Sequence, residues 1–223
     1  HALLLQSLGT VPHELTWNYP DWSVSVEFWT YLLFFAVARR VLLEVRAWPA
    51  LALSVAAYAL LWVLAGDSLL RTRDLGLLRG AGGFFLGVAV WSFLYGPRSR
   101  LGVLPRFTAA WASVAEVAAA ALSLACLLRA PEGKAWQLAL FACFGVCVGL
   151  FSYQRGWLSR LLLAAPLRWL GQVSYSIYLV HALVIAALMN VCKTLLHLPI
   201  ADVRGAFGGV APNVVSVHAW AIN

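Results

Sequence analysis

Charge is scarce in this sequence: only 11% of its 223 residues are Asp, Glu, Lys or Arg, against about 25% in an ordinary soluble domain. So few charges cannot cover the surface of a chain that is 62% hydrophobic and has a mean hydropathy of +0.82. A soluble globular fold is thereby excluded. The apolar runs also lack the two-residue alternation of barrel strands. In lipid only helices and closed barrels satisfy every backbone polar group, so an all-α fold remains, a polytopic transmembrane helix bundle of about six or seven spans.

Further absences narrow the function. There is no long basic tract: the 16 Lys and Arg residues, set against 9 Asp and Glu for a net charge of +7, fall in short clusters between apolar runs. Nucleic acid is therefore not an expected partner. No C-x-x-C pair occurs among the four cysteines, and Cys126, Cys143, Cys147 and Cys192 all lie in apolar runs. Thiols in such runs behave as small hydrophobes, so neither a disulfide framework nor a metal site is expected. No internal repeat or low-complexity tract divides the chain, and residues 1–223 read as one membrane domain. An initiating Met and a signal peptide are both missing, and 214–223 stops inside an apolar run. The expectation is a fragment, incomplete at its N-terminus and at its C-terminus.

What is present is a series of apolar runs of crossing length, about 20 residues each. They are 22–38, 47–65, 80–95, 107–128, 135–153 and 171–196, with a weaker seventh beginning near Ala206. The opening 1–9 resembles the tail of an earlier helix. Placing Arg39, Arg40 and Arg46 in the cytoplasm puts Arg98, Arg100, Arg106, Arg155, Arg160 and Arg168 on the same side, in accord with the positive-inside rule. The stretch 156–171, interrupted by Arg160, Pro166 and Arg168, suits an amphipathic segment on the cytoplasmic surface. Gly80, Gly82, Gly83 and Gly87 include a G-x-x-x-G spacing, which predicts close helix packing.

Two polar clusters interrupt these runs. Ser23, Glu27 and Tyr31 recur at i, i+4, i+8, and Ser174, Tyr178 and His181 at i, i+4, i+7, so each set shares one helix face. An ionisable residue within a span is costly and points to a polar cavity or site, and His suits proton transfer near neutral pH. At 1.5 Å per residue, Glu27 lies roughly 18 Å from Arg39 and His181 roughly 14 Å from Gln172, similar depths that predict a shared cavity. A plainer reading makes Trp22 an interfacial residue, Ser23 a helix cap, Glu27 water-facing and His181 a structural hydrogen-bonding group. The residues alone leave both readings open. Glu116 is expected to play a structural role, paired with a basic residue such as Arg106.

The run Asn18-Tyr19-Pro20-Asp21-Trp22-Ser23-Val24-Ser25-Val26-Glu27, followed by Tyr31, resembles the W-S-L-x-x-E…Y signature of the membrane-bound acyltransferase 3 family. Leu170-Gly171-Gln172-Val173-Ser174-Tyr175-Ser176-Ile177-Tyr178-Leu179-Val180-His181 resembles that family's L-G-x-x-S-Y-x-x-Y-L-x-H segment. The resemblance covers essentially the whole chain. It implies a multi-pass enzyme of the cell membrane, expected in a bacterial inner membrane. Such an enzyme transfers an acyl group, here expected to be acetyl, from acyl-coenzyme A to a hydroxyl of a carbohydrate or lipid-linked glycan of the cell envelope. Acetyl-coenzyme A is then a donor substrate, not a bound cofactor, and the implied partners are membrane lipid, acyl-coenzyme A and the glycan acceptor, with no protein partner indicated. The family's early helix, with a basic residue followed by a catalytic histidine, has no counterpart here, so the resemblance implies that the primary base lies outside this sequence and that the segment alone is inactive. Within it, the resemblance implies catalytic roles for Glu27 and His181 and substrate-binding roles for Trp22, Ser23, Tyr31, Ser174, Tyr175 and Tyr178. A proton-coupled transporter or flippase is the competing class, since intramembrane Glu and His also describe a carrier.

Overall fold

The computed structural model describes residue 4 and residues 21–40, 47–70, 74–96 and 108–194. Among the described residues the regular structure is entirely helical: α1 (Asp21–Arg40), α2 (Ala47–Leu64), α3 (Gly76–Tyr95), α4 (Ala109–Arg129), α5 (Lys134–Phe151), α6 (Trp157–Leu162) and α7 (Ala165–Thr194). Five helices are long and apolar enough to cross a membrane, namely α2, α3, α4 with the turn that follows it, α5, and α7 as far as Cys192. The 20 residues of α1 span about 30 Å, but Asp21, Glu27, Arg39 and Arg40 leave it less apolar than the other five. The predicted seventh span lies outside the described residues.

Contacts at the helix ends establish an up-and-down order. Trp48 at the start of α2 meets Phe93 near the end of α3, ring centroids 5.2 Å apart. Lys134, the first residue of α5, donates to the carbonyl of Trp62 near the end of α2 at 2.8 Å. At the opposite end Tyr95 of α3 donates to Ser152, just after α5, at 3.0 Å. Gly80 near the start of α3 faces Val26 near the start of α1, and Glu116 in the first half of α4 reaches Gly156 just beyond the end of α5, so α1, α3 and α5 run in one direction and α2 and α4 in the other. Arg40, Arg155 and Arg160 gather at one end of the bundle, the end where positive-inside bias places the cytoplasm.

Lipid tails are as apolar as leucine, so packing between helices depends on close approach and interhelical hydrogen bonds. Helix α3 supplies the close approach through its glycines. A Cβ at Gly80 would collide with Val26 of α1, and one at Gly82 would lie 2.9 Å from the Tyr58 ring of α2. Ser54 of α2 donates to the Gly82 carbonyl at 2.7 Å, and Tyr58 stacks on Phe141 of α5 with centroids 5.1 Å apart. Thus α3 sits between α1 and α2 and also meets α5, where Gly145 faces Leu86. The G-x-x-x-G pair divides: a Cβ at Gly83 would lie in contact with the Tyr58 hydroxyl of α2 at 3.5 Å, as close packing predicts, whereas Gly87 departs from the expectation. Gly83 and Gly87, with Phe34, Phe84, Val88 and Trp91, line an open apolar groove of about 450 Å³, and a Cβ at Gly87 would meet nothing within 4 Å. Gly82→Ala is expected to push Tyr58 off Phe141 and destabilise the protein by about 1–3 kcal/mol. Gly87→Ala should be neutral or stabilising by up to about 1 kcal/mol through helix propensity. Thermal unfolding of the two variants in detergent checks the pair, and equal effects would refute this assignment of faces.

The segment 156–171 divides where a single surface segment was expected. After the short α6, a break at 163–164 leads directly into α7, whose amides begin bonding at Arg168 N to Ala164 O, 2.9 Å. Pro166 falls in the first turn of α7, where a missing N–H costs nothing and the fixed φ favours helix initiation. Its position starts the long helix earlier than the apolar run suggested.

Candidate functional site

Helix α1 packs on α3 through Val26 and Thr30, both buried and both against Gly80, and so turns Glu27 and Tyr31 outward, Tyr31 being 55% exposed. Across from them runs α7. The Tyr175 phenol lies close enough to the Glu27 carboxylate to interact with it, and the phenols of Tyr31 and Tyr178 lie close enough to Tyr175 to act on it electrostatically. Four of the expected site residues, Glu27 and Tyr31 from α1 and Tyr175 and Tyr178 from α7, thus form one polar cluster on an open side of the bundle. Tyr31 also meets Phe84 edge-on at 5.8 Å, which joins the cluster to the apolar groove beside α3.

His181 stands apart from this cluster. Its Nδ1 contacts the carbonyl of Tyr178 on its own helix, and its ring is tilted over Tyr178 at 5.6 Å. The depth comparison explains the difference. Helix α7 begins at Ala165, so Tyr175 lies roughly 15 Å and His181 roughly 24 Å along it. Glu27 lies roughly 18 Å from Arg39 on α1, which brings it level with Tyr175. Counting from Gln172 had set His181 too shallow. Among the described residues His181 is the only histidine.

The remaining expected residues take up local roles. Ser174 donates to the carbonyl of Gly171 at 2.7 Å within α7. Trp22 lies under the Arg79 guanidinium, 5.0 Å from ring centroid to Cζ, and Arg79 also donates to the Leu70 carbonyl at 3.0 Å. Ser23 is half-buried in the first turn of α1. Leu4, with φ of 50°, accepts from Ser25 Oγ at 2.5 Å and from Trp29 Nε1 at 2.7 Å. Its carbonyl thus bonds side chains on the turns either side of Glu27. The reading of 1–9 as a helix tail otherwise lies outside the described residues.

Glu116 was expected to pair with a basic residue such as Arg106, which lies outside the described residues. The carboxylate is instead held by the start of α6. It is 2% exposed and accepts from Gly156 N and Ser159 N at 2.9 Å each, from Ser159 Oγ at 2.6 Å and from the Leu158 amide. The Trp157 amide donates to Ser113 Oγ at 2.9 Å. The Gly156, Trp157 and Ser159 amides, which α6 cannot bond within itself, are therefore met by α4 side chains. A Cβ at Gly156 would overlap the carboxylate, so only glycine admits it. Sequence spacing held no signal for this pairing, because the partners are backbone amides some 40 positions away.

Chemically, the α1–α7 cluster offers a carboxylate able to orient or charge a base and phenols able to donate hydrogen bonds to a developing oxyanion. A family model described as an acyltransferase domain matches residues 4–215 of the chain. No curated protein and no solved structure matches it.

Proposed function

From the premise that the chain belongs to the acyltransferase 3 family, we propose that it is an O-acyltransferase moving an acetyl group from acetyl-coenzyme A to a hydroxyl of a carbohydrate or lipid-linked glycan of the cell envelope. The observation that carries this reading is the juxtaposition of the Glu27 carboxylate and the Tyr175 phenol across the α1–α7 gap, within a chain whose family transfers acyl groups. O-acyl transfer requires a base for the acceptor hydroxyl and donors for the tetrahedral oxyanion. In this proposal Glu27 orients and charges the base, while Tyr175, Tyr178 and Tyr31 position the thioester and donate to the oxyanion. His181 serves the same polar face further along α7, where it contacts the acceptor side. Trp22, Ser23 and Ser174 complete the lining.

Donor binding falls to the Arg-rich end. Arg168 lies two turns before Tyr175 on the same face of α7, and Arg155 and Arg160 are exposed beside it in and around α6. Guanidinium groups suit the phosphates of coenzyme A. Replacing Arg155, Arg160 and Arg168 with Gln is expected to raise the donor KM by roughly 10-fold, about 1.4 kcal/mol, with little change in kcat. Unchanged donor affinity in correctly inserted protein would remove the assignment. The reading as a whole is tested by supplying labelled acetyl-coenzyme A and cell-envelope glycan to membranes holding the natural full-length protein. Label should appear in ester linkage on the glycan. Accumulation of a solute in proteoliposomes without consumption of acyl-coenzyme A would instead establish a carrier.

A further inference from the structure

The polar cluster spans two helices that scarcely pack on each other. Helix α7 touches its chain neighbour α6 only lightly, none of its apolar window is buried, and only the two residues 163–164 separate the helices. Helix α6 is in turn fastened to α4, where Glu116 accepts from Gly156, Leu158 and Ser159 while Ser113 accepts from Trp157. The Leu163 amide closes α6 onto the carbonyls of Ser159 and Leu161, so the anchored turn passes straight into the break before α7. A short backbone path therefore runs from the Glu116 carboxylate through α6 and the two residues 163–164 to the start of α7, and from there to Tyr175.

We infer that Glu116 is a positioning residue: its capture of α6 sets the place and depth at which α7 presents Tyr175 and Tyr178 to Glu27. A carboxylate fits this task because it can accept from several amides at once with charge-assisted bonds, and a desolvated anion releases none of them without a large penalty. The inference rests on the acyltransferase reading of the α1–α7 cluster for its kinetic consequence only. Its geometric consequence is independent of any activity.

Two substitutions break the clamp by different means. Glu116→Ala removes the acceptor, and Gly156→Ala keeps the charge but drives a methyl group into it. The full chain, in a background without native cysteines, carries nitroxide labels through Leu33→Cys on α1 and Ile177→Cys on α7. A control pair uses Val63→Cys on α2 and Val146→Cys on α5; all four side chains are exposed. The α1–α7 distance distribution is expected to broaden in both variants while the α2–α5 distribution keeps its width. In protein without labels, kcat should fall roughly 100-fold, the scale of a displacement near 1 Å at a reacting centre, with donor KM unchanged. If Glu116→Ala also loses the α2–α5 distance it has unfolded, and Gly156→Ala alone decides. An α1–α7 distribution as narrow as in the wild type overturns the inference whatever the activity. A broadened distribution in a protein whose wild type transfers no acyl group leaves the positioning role intact and removes the acyltransferase reading of the cluster.

Discussion

Glu27→Gln in the full chain is expected to lower acyl transfer on the order of 1,000-fold, the scale on which neutralising the carboxylate partner of a base or deleting an oxyanion donor acts in other enzymes. Gln has the shape of Glu and still offers Tyr175 an oxygen to donate to. What is lost is the negative charge that would hold a protonated base, so the effect should fall on kcat and leave donor KM close to the wild-type value. Tyr175→Phe removes the hydroxyl beside this charge and should cost less, roughly 10- to 100-fold, in line with about 1.5–3 kcal/mol for a hydrogen bond to a charged group. The double variant should lose less than the product of the two, since both act on one contact. Initial rates in membranes with equal amounts of inserted protein decide the matter. A Glu27→Gln enzyme working at the wild-type rate would leave Glu27 as a polar residue on a wet helix face, with no part in the chemistry.

The helices were legible because apolar runs of crossing length have few alternatives in lipid, and α2 to α5 lie close to where hydropathy places them. Helix starts were less legible. Pro166 marks an interruption in a hydropathy reading, yet in the first turn it favours helix, and the resulting seven-residue shift from Gln172 to Ala165 carries His181 away from the level of Glu27. The site was legible as residue types on faces: Glu27 and Tyr31 share one face of α1, as the spacing indicates, and Tyr175 comes from the motif read on α7. Which member of that motif meets Glu27 depends on the length and tilt of α7 and on what anchors its start. The anchor is Glu116, whose partners are backbone amides, and side-chain spacing carries no record of those.

Gln137 was passed over in the sequence for a similar reason, being one amide in an otherwise apolar run, yet its removal is expected to be among the most damaging single changes. Its Oε1 accepts from the Leu69 amide at 2.6 Å and from Ser68 Oγ at 3.4 Å, and its Nε2 donates to the Ala130 carbonyl at 2.9 Å. Leu69 and Ala130 are 0% and 1% exposed, so water cannot take over these bonds. One side chain near the start of α5 thereby joins the stretch after α2 to the 3₁₀ turn Ala130–Glu132 that links α4 to α5. Gln137→Leu fills nearly the same volume and recovers about 1.5–3 kcal/mol of apolar burial. It leaves the buried Leu69 N–H unpaired at about 1–3 kcal/mol, leaves the Ala130 carbonyl with only the weaker Gly133 amide, and discards the hydrogen bonds themselves. The balance is a loss of about 2 kcal/mol, or a fall in Tm of about 4–8 °C for a chain of this length. Lys134→Met, one turn away, should cost less. Its bond to the Trp62 carbonyl and its place 5.3 Å over the Trp62 ring are near water, where a lost partner is replaced. Thermal unfolding of the two variants in the same detergent tests the ranking. A Gln137→Leu protein as stable as the wild type would mean that the Leu69 amide and the Ala130 carbonyl find other partners, and that packing alone holds this end of the bundle.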